Sequence, residues 1–246
     1  MSGHSKWNNI KRKKEKADGA KARVFTRAAK EISVAVKEGG SADPDVNARL
    51  RDAIAKAKAN NVPNDNIKRI IEKAGANTAS YEKVTYEGYG PGGVALIIEA
   101  LTDNRNRTAA AVRHALDKFG GNLGSTGCVS FIFTQKGVIE LEDEDGINGD
   151  KLLEDAMEVD GVEDVEAGET DAEITTAPND LIKAVEGIKE KGYTVTSAEV
   201  AYVPSTRTRL DDPDQLQQLS SMLEQLDEDD DVQGAWHNLE NEEDMP

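Results

Sequence analysis

The sequence has a single cysteine, Cys128, and only three histidines, His4, His114 and His237, which fall in three different predicted elements. One cysteine excludes an intrachain disulfide and any cysteine-rich metal site. With the histidines so dispersed, neither a nucleophile–base triad nor a paired-histidine metal motif is visible. Long apolar runs are missing too. The longest, Val94-Ala95-Leu96-Ile97-Ile98, is the size of a strand and far short of the ~20 residues that span a membrane. The start, Met1-Ser2-Gly3-His4-Ser5-Lys6, carries charge but no following apolar segment. No secretory signal is therefore expected, and the cytoplasm is the expected compartment.

Two apparent ligand motifs fail on context. Gly88-Tyr89-Gly90-Pro91-Gly92-Gly93 satisfies G-x-G-x-x-G, but the strand-like Val94–Ile98 follows where a dinucleotide site needs a helix N-terminus. Pro91 also removes an N–H that a phosphate cradle would use. A hairpin loop is the better reading. Asp143-Glu144-Asp145-Gly146 resembles a calcium loop, yet the implied first and last ligands are Leu141 and Leu152, which cannot coordinate. No cofactor and no metal is expected, and nothing positive points to an enzyme.

What the chain does have is charge, unevenly placed. Residues 1–75 carry 18 Lys/Arg and 9 Asp/Glu, a net +9, against 12 and 38 in residues 76–246, a net −26. The global charge of −17 therefore hides a basic end on an acidic body, and the local field decides which partners approach. Ten Lys/Arg lie within residues 1–30: Lys6, Lys11, Arg12, Lys13, Lys14, Lys16, Lys21, Arg23, Arg27 and Lys30. Clustered cations on a polar segment bind phosphates by releasing counterions, without reading bases. His4 and Trp7 add a stacking face for an unpaired base, although Trp7 would serve equally well to anchor the segment on the helices that follow. Arg105 and Arg107 stand out in a region otherwise poor in cations. The Gly-rich connection from Gly120 to Gly127 reads either as a plain loop or as a place of close approach to a phosphate backbone. The acids at Asp227–Asp231 and Glu240–Asp244 read as solvated surface.

Periodicity organises the chain into an α+β fold. Apolar residues recur at helical spacing from about Ala20 to Val36. They recur again after Asp43-Pro44, which reads as an N-cap and first turn, and after Asn64, which predicts a three-helix bundle in residues 1–75. The period then changes to two. Residues 138–201 read β, α, β, β, α, β, the ferredoxin-like order. Their flanks give a second copy: strand Val94–Leu101, a helix capped by Asn106, strand Cys128–Phe133, strand Thr206–Leu210, helix Pro213–Leu226 and strand Val232–Asn238. Lys136-Gly137 is expected to turn. The predicted domains are thus 1–75, a split α/β domain of 80–136 with 203–240, and an acidic α/β insert of 137–202.

Several of these segments together resemble the YebC/PmpR family: Gly3-His4-Ser5-Lys6-Trp7, Gly88–Gly93 with its following strand, Thr102-Asp103-Asn104-Arg105-Asn106-Arg107-Thr108, Gly120-Gly121-Asn122-Leu123-Gly124, Asp231-Val232-Gln233 and His237-Asn238. The resemblance covers nearly the whole chain and is weakest from Glu142 to Thr170. It implies a helical N-terminal domain with two α/β domains and a role in gene expression. Bacterial members are described as DNA-binding transcriptional regulators, while mitochondrial members are described as translational activators. The implied partner is therefore nucleic acid, either DNA or the RNA of a ribosome on which such a factor relieves stalling. No family catalytic residue exists to carry over, and His4, Lys6 and Lys11–Lys14 match the family's basic arm.

Overall fold

Alternating polar and apolar residues on the hairpin that starts at Glu82 build one of two four-stranded antiparallel sheets in the computed structural model, which describes residues 17–74 and 81–246. Before the sheets come three helices, α1 (Ala17–Gly39), α2 (Ala48–Ala59) and α3 (Asn64–Ala74). The N-cap of α2 is Asn47, whose Oδ1 accepts the Leu50 N–H at 3.1 Å. The expected cap, Asp43, instead closes a turn by accepting the Asp45 N–H at 2.9 Å. Two residues later Asn47 is in extended backbone, the conformation an N-cap requires.

The described residues fall into two compact units. One holds 28–74 with 135–201, and the other holds 17–27 with 81–134 and 202–246. In the first unit, strand β4 (Phe133–Glu142) begins a β-α-β-β-α-β run. It continues through α5 (Gly149–Met157), β5 (Val162–Ala167), β6 (Asp171–Thr176), α6 (Leu181–Glu190) and β7 (Val195–Pro204). The sheet order is β5-β6-β4-β7. This is the ferredoxin-like arrangement, in which the first strand lies between the third and the fourth. Ile139, Leu152, Ile174, Ala184 and Ile188 are fully buried in its core, and Ala59 of α2 joins them. Asn60 donates from its side chain to the Ala198 carbonyl at 2.9 Å, fastening the end of α2 to β7. No turn forms at Lys136-Gly137, since β4 runs straight through. A Cβ at Gly137 would lie 2.2 Å from Thr176 Oγ1, so the glycine allows close strand and helix approach rather than a reversal.

In the second unit, β1 (Glu82–Tyr89) and β2 (Ala95–Thr102) pair in register from Glu82 opposite Thr102 to Tyr89 opposite Ala95. They are followed by α4 (Arg105–Lys118), β3 (Asn122–Leu123), α7 (Pro213–Glu228) and β8 (Val232–His237), with sheet order β3-β1-β2-β8. The order again matches the ferredoxin pattern, with one difference from expectation. The third-strand place belongs to β1, which precedes the rest in sequence, and not to Thr206–Leu210. That segment makes only one bridge, Thr208 with Leu239. Its backbone is instead held by side chains. Asn238 donates to Thr206 O at 3.1 Å, while Asn241 accepts from Leu210 N at 3.0 Å and donates to Leu210 O at 2.8 Å. Cys128–Phe133 is likewise not a strand; a 3₁₀ turn occupies Ser130–Ile132. The core packs Leu96, Ile98, Val112, Leu116, Leu219 and Leu223 between the sheet and helices α4 and α7.

Candidate nucleic-acid interface

His4, Lys6, Trp7, Lys11, Arg12, Lys13, Lys14 and Lys16 lie outside the described residues. Lys21 falls within α1. Arg23 and Arg27, one helical turn apart on that helix, share one face and meet a single carboxylate. Arg23 Nε lies 2.9 Å from Asp227 Oδ2, and Arg27 Nη2 lies 2.6 Å from Asp227 Oδ1. Arg27 also donates through Nε to the Val232 carbonyl at 3.1 Å. Lys30, further along α1, is half-buried.

Arg105 and Arg107 open α4. Its N-cap is Asn104, not Asn106: Asn104 is extended, and its Oδ1 accepts the Arg107 N–H at 3.1 Å. Arg107 Nη2 lies 2.5 Å from Asp231 Oδ2 and 2.9 Å from Asp103 Oδ1, and these hydrogen bonds raise the guanidinium pKa further. The same Asp231 oxygen accepts from Thr108 Oγ1 at 2.8 Å and from Thr102 Oγ1 at 3.2 Å. Thr102 and Thr108 are fully buried, and Asp231 is only 6% exposed. Arg105 is exposed, and its carbonyl accepts from Tyr86 Oη at 3.4 Å.

Arginines from α1 and α4 thus converge on one acidic turn, Asp227–Val232, between α7 and β8. By sequence alone this turn reads as solvated surface. In the structure Asp227 is mostly buried under two arginines, and Asp231 is the acceptor at the centre of a threonine network. Glu242, in the other acidic run, is also buried, with His237 Nδ1 3.5 Å from its Oε1. The seven-residue motif from Thr102 to Thr108 is accordingly a joint between the end of β2, the start of α4 and the start of β8. A carboxylate buried more than a hundred residues from its cations has no local sequence signal. The one hint in the sequence is Asp231-Val232-Gln233, a segment that carries the family resemblance.

The Gly-rich connection also has a mechanical basis. A Cβ at Gly121 would lie 2.4 Å from the Tyr89 carbonyl, so helix end and strand end could not meet with any other residue there. Beyond it, the buried Glu87 of β1 captures the loop. Its carboxylate accepts the N–H groups of Gly127 at 2.7 Å, Val129 at 2.9 Å and Ser130 at 2.8 Å. Burial pushes the Glu87 pKa up, but these donors together outweigh it and leave the pKa below its ordinary value. A lowered folded pKa stabilises above the unfolded value of 4.5, and that contribution is lost as pH falls through the folded pKa. Glu87→Gln should therefore lower the unfolding midpoint by roughly 3–6 °C at neutral pH. The gap from wild type should narrow as pH drops below about 4.5, which thermal melts across acid pH will show. A gap that stays constant with pH would remove the charged Glu87 from this role.

The fold, two four-stranded antiparallel sheets of ferredoxin-like order preceded in sequence by three helices, defines a mixed α+β class. The TACO1/YebC N-terminal domain matches residues 5–77, and the TACO1/YebC second and third domain matches residues 81–239. The chain belongs to the TACO1/YebC family. A probable transcriptional regulatory protein of Acetivibrio thermocellus is 52% identical over 240 residues, covering 97% of this chain and 98% of that protein. One of the same description from Ruminiclostridium cellulolyticum is 49% identical over 99% of this chain and 98% of its own length. The crystal structure of a conserved hypothetical protein from Aquifex aeolicus matches with a TM-score of 0.79 and 40% identity, covering 92% of each chain. Among the described residues no helix is long and apolar enough to cross a membrane, and no group of three or more His, Cys, Asp or Glu is placed to hold a metal ion.

Proposed function

We propose that this protein is a non-enzymatic, nucleic-acid-binding regulator of gene expression that contacts its target through the basic N-terminal segment. The observation that carries the reading is the charge split: ten Lys/Arg in residues 1–30 on a chain whose residues 76–246 carry −26. A polyanion is attracted at one end and repelled elsewhere, which confines and orients its approach. Arg23, Arg27 and Arg107 spend much of their charge on Asp227 and Asp231, so the phosphate contacts fall to Lys6, Lys11, Arg12, Lys13, Lys14 and Lys16, with His4 and Trp7 beside them. The names of the relatives favour DNA and transcription as the setting.

In-cell crosslinking of the full-length protein, followed by sequencing of the bound nucleic acid, tests this reading. Enrichment of promoter DNA is the expected result. Recovery dominated by ribosomal RNA would move the protein to translation, and recovery of no nucleic acid would contradict the reading altogether.

Absence of catalysis has its own test at the loop that imitates a dinucleotide fingerprint. Gly90 N donates to the Val94 carbonyl at 2.8 Å, and the loop joins two antiparallel strands instead of opening a helix. Purified protein should show no saturable NTP hydrolysis. Hydrolysis abolished by Gly93→Ala would overturn the non-enzyme reading.

A further inference from the structure

Phe131 is 77% exposed, an unusual position for a phenyl ring on a loop so firmly held. The loop is fastened at every side. Glu87 takes three of its N–H groups, as above, and its carbonyl accepts from Gly124 N at 2.8 Å. Tyr89 Oη donates to the Cys128 carbonyl at 3.0 Å. The Ile132 carbonyl, next to Phe131, accepts from both Ser205 N at 2.7 Å and Ser205 Oγ at 2.8 Å. A loop held this tightly loses little backbone entropy when a partner covers its side chain.

Two features of the surroundings select the partner. First, the ring is solitary. Ser125, Thr126, Gly127, Ser130 and Thr134, its neighbours in sequence, are exposed and small or polar, and among the described residues the other large exposed apolar side chains, Val46, Leu153 and Met157, all belong to the other unit. A protein-docking centre is ringed by further apolar contacts, whereas one flat ring suffices to stack one base. Second, apart from the buried Glu87 carboxylate, which three loop N–H groups neutralise in part, the sequence of the loop lacks the acids that dominate the rest. Residues 118–139 form the longest stretch of this acidic chain without Asp or Glu. The segment joined to it at Ser205 is also free of acid from Val200 to Leu210 and carries Arg207.

We propose that the Gly124–Ile132 loop is a second nucleic-acid contact in which Phe131 stacks on an unpaired base. This rests on the nucleic-acid reading above and adds to the basic segment, which grips phosphates, a point that requires an unstacked base. The target is therefore single-stranded, or opened, at that point.

Fluorescence anisotropy with the full-length protein tests it, using a short single-stranded oligodeoxythymidine and the same backbone made abasic. Phe131→Ala should weaken binding of the base-bearing strand roughly 5- to 150-fold. The salt dependence should stay the same, because stacking neutralises no phosphate. Phe131→Trp should restore affinity, and wild type and Phe131→Ala should bind the abasic strand alike. Thermal melts should coincide, since the ring supports no core contact. Equal affinity of wild type and Phe131→Ala for the base-bearing strand would overturn stacking, leave the basic-segment reading intact and assign the ring to a protein partner. Equal weakening for both strands would overturn it as well. Failure of wild type to bind either strand at low salt would overturn both readings together.

Discussion

Asp231→Ala should lower the unfolding midpoint by about 5–15 °C, corresponding to a loss of about 2–4 kcal/mol. The substitution removes the acceptor shared by Thr102 Oγ1, Thr108 Oγ1 and Arg107 Nη2. Two hydroxyls in fully buried surroundings are then left to rearrange without it, and each unsatisfied buried donor costs about 1–3 kcal/mol. The backbone bond at the same residue survives the substitution and holds the strand in place while the side-chain network is lost. Asp231 accepts the Leu101 N–H at 2.7 Å beside the irregularity in the β2–β8 ladder, so its side chain and carbonyl together seat β8 on the sheet. Asp231→Asn keeps an oxygen for the threonines and should cost clearly less. Arg107→Ala should cost least, because its side chain is 54% exposed and a solvated ion pair contributes little. Thermal unfolding of the three variants checks the ranking. A wild-type midpoint for Asp231→Ala, or a larger loss for Arg107→Ala, would show that the threonine network does not hold the joint.

The elements that sequence reading placed well are those with local causes. The helical repeat from Val24 to Val36, the fully apolar strand at Val94–Ile98 and the β-α-β-β-α-β run after residue 137 all follow from side-chain spacing. The errors have long-range causes. Thr206–Leu210 has the alternation of a strand, but Asn238 and Asn241 claim its backbone, and β1, from the start of the domain, fills the sheet position. Cys128–Phe133 looks strand-like, yet Glu87, some forty residues earlier, collects three of its neighbouring N–H groups and bends the chain into a turn. Asp43 and Asn106 have good capping chemistry, but Asn47 and Asn104 have the extended backbone that a cap needs.

The candidate site divides along the same line. The basic charge of residues 1–30 is legible because composition alone shows it. The partners of Arg23, Arg27 and Arg107 are not, since a run of acids reads as solvated until arginines more than a hundred residues away are folded onto it. Phe131 carried no sequence signal at all. A phenylalanine between Ser130 and Ile132 looks like core, and only the folded loop turns it outward.

The basic segment sets the last expectation, the one with the largest functional effect. If the segment neutralises about four to six phosphates, log K for nucleic acid should fall with log salt at a slope of roughly −3 to −5. Replacing Lys11, Arg12, Lys13 and Lys14 together by Ala should flatten that slope by up to about 3. The loss should be similar for unrelated DNA sequences, because phosphate contacts carry no sequence information. Folding should be nearly unchanged, since these side chains precede the apolar repeat of α1. The most direct measurement is therefore the salt dependence of binding for wild type and the quadruple variant, with matched thermal melts. A flatter slope and weaker binding at an unchanged melting temperature is the predicted result; a variant that binds with wild-type affinity and slope would contradict the central claim.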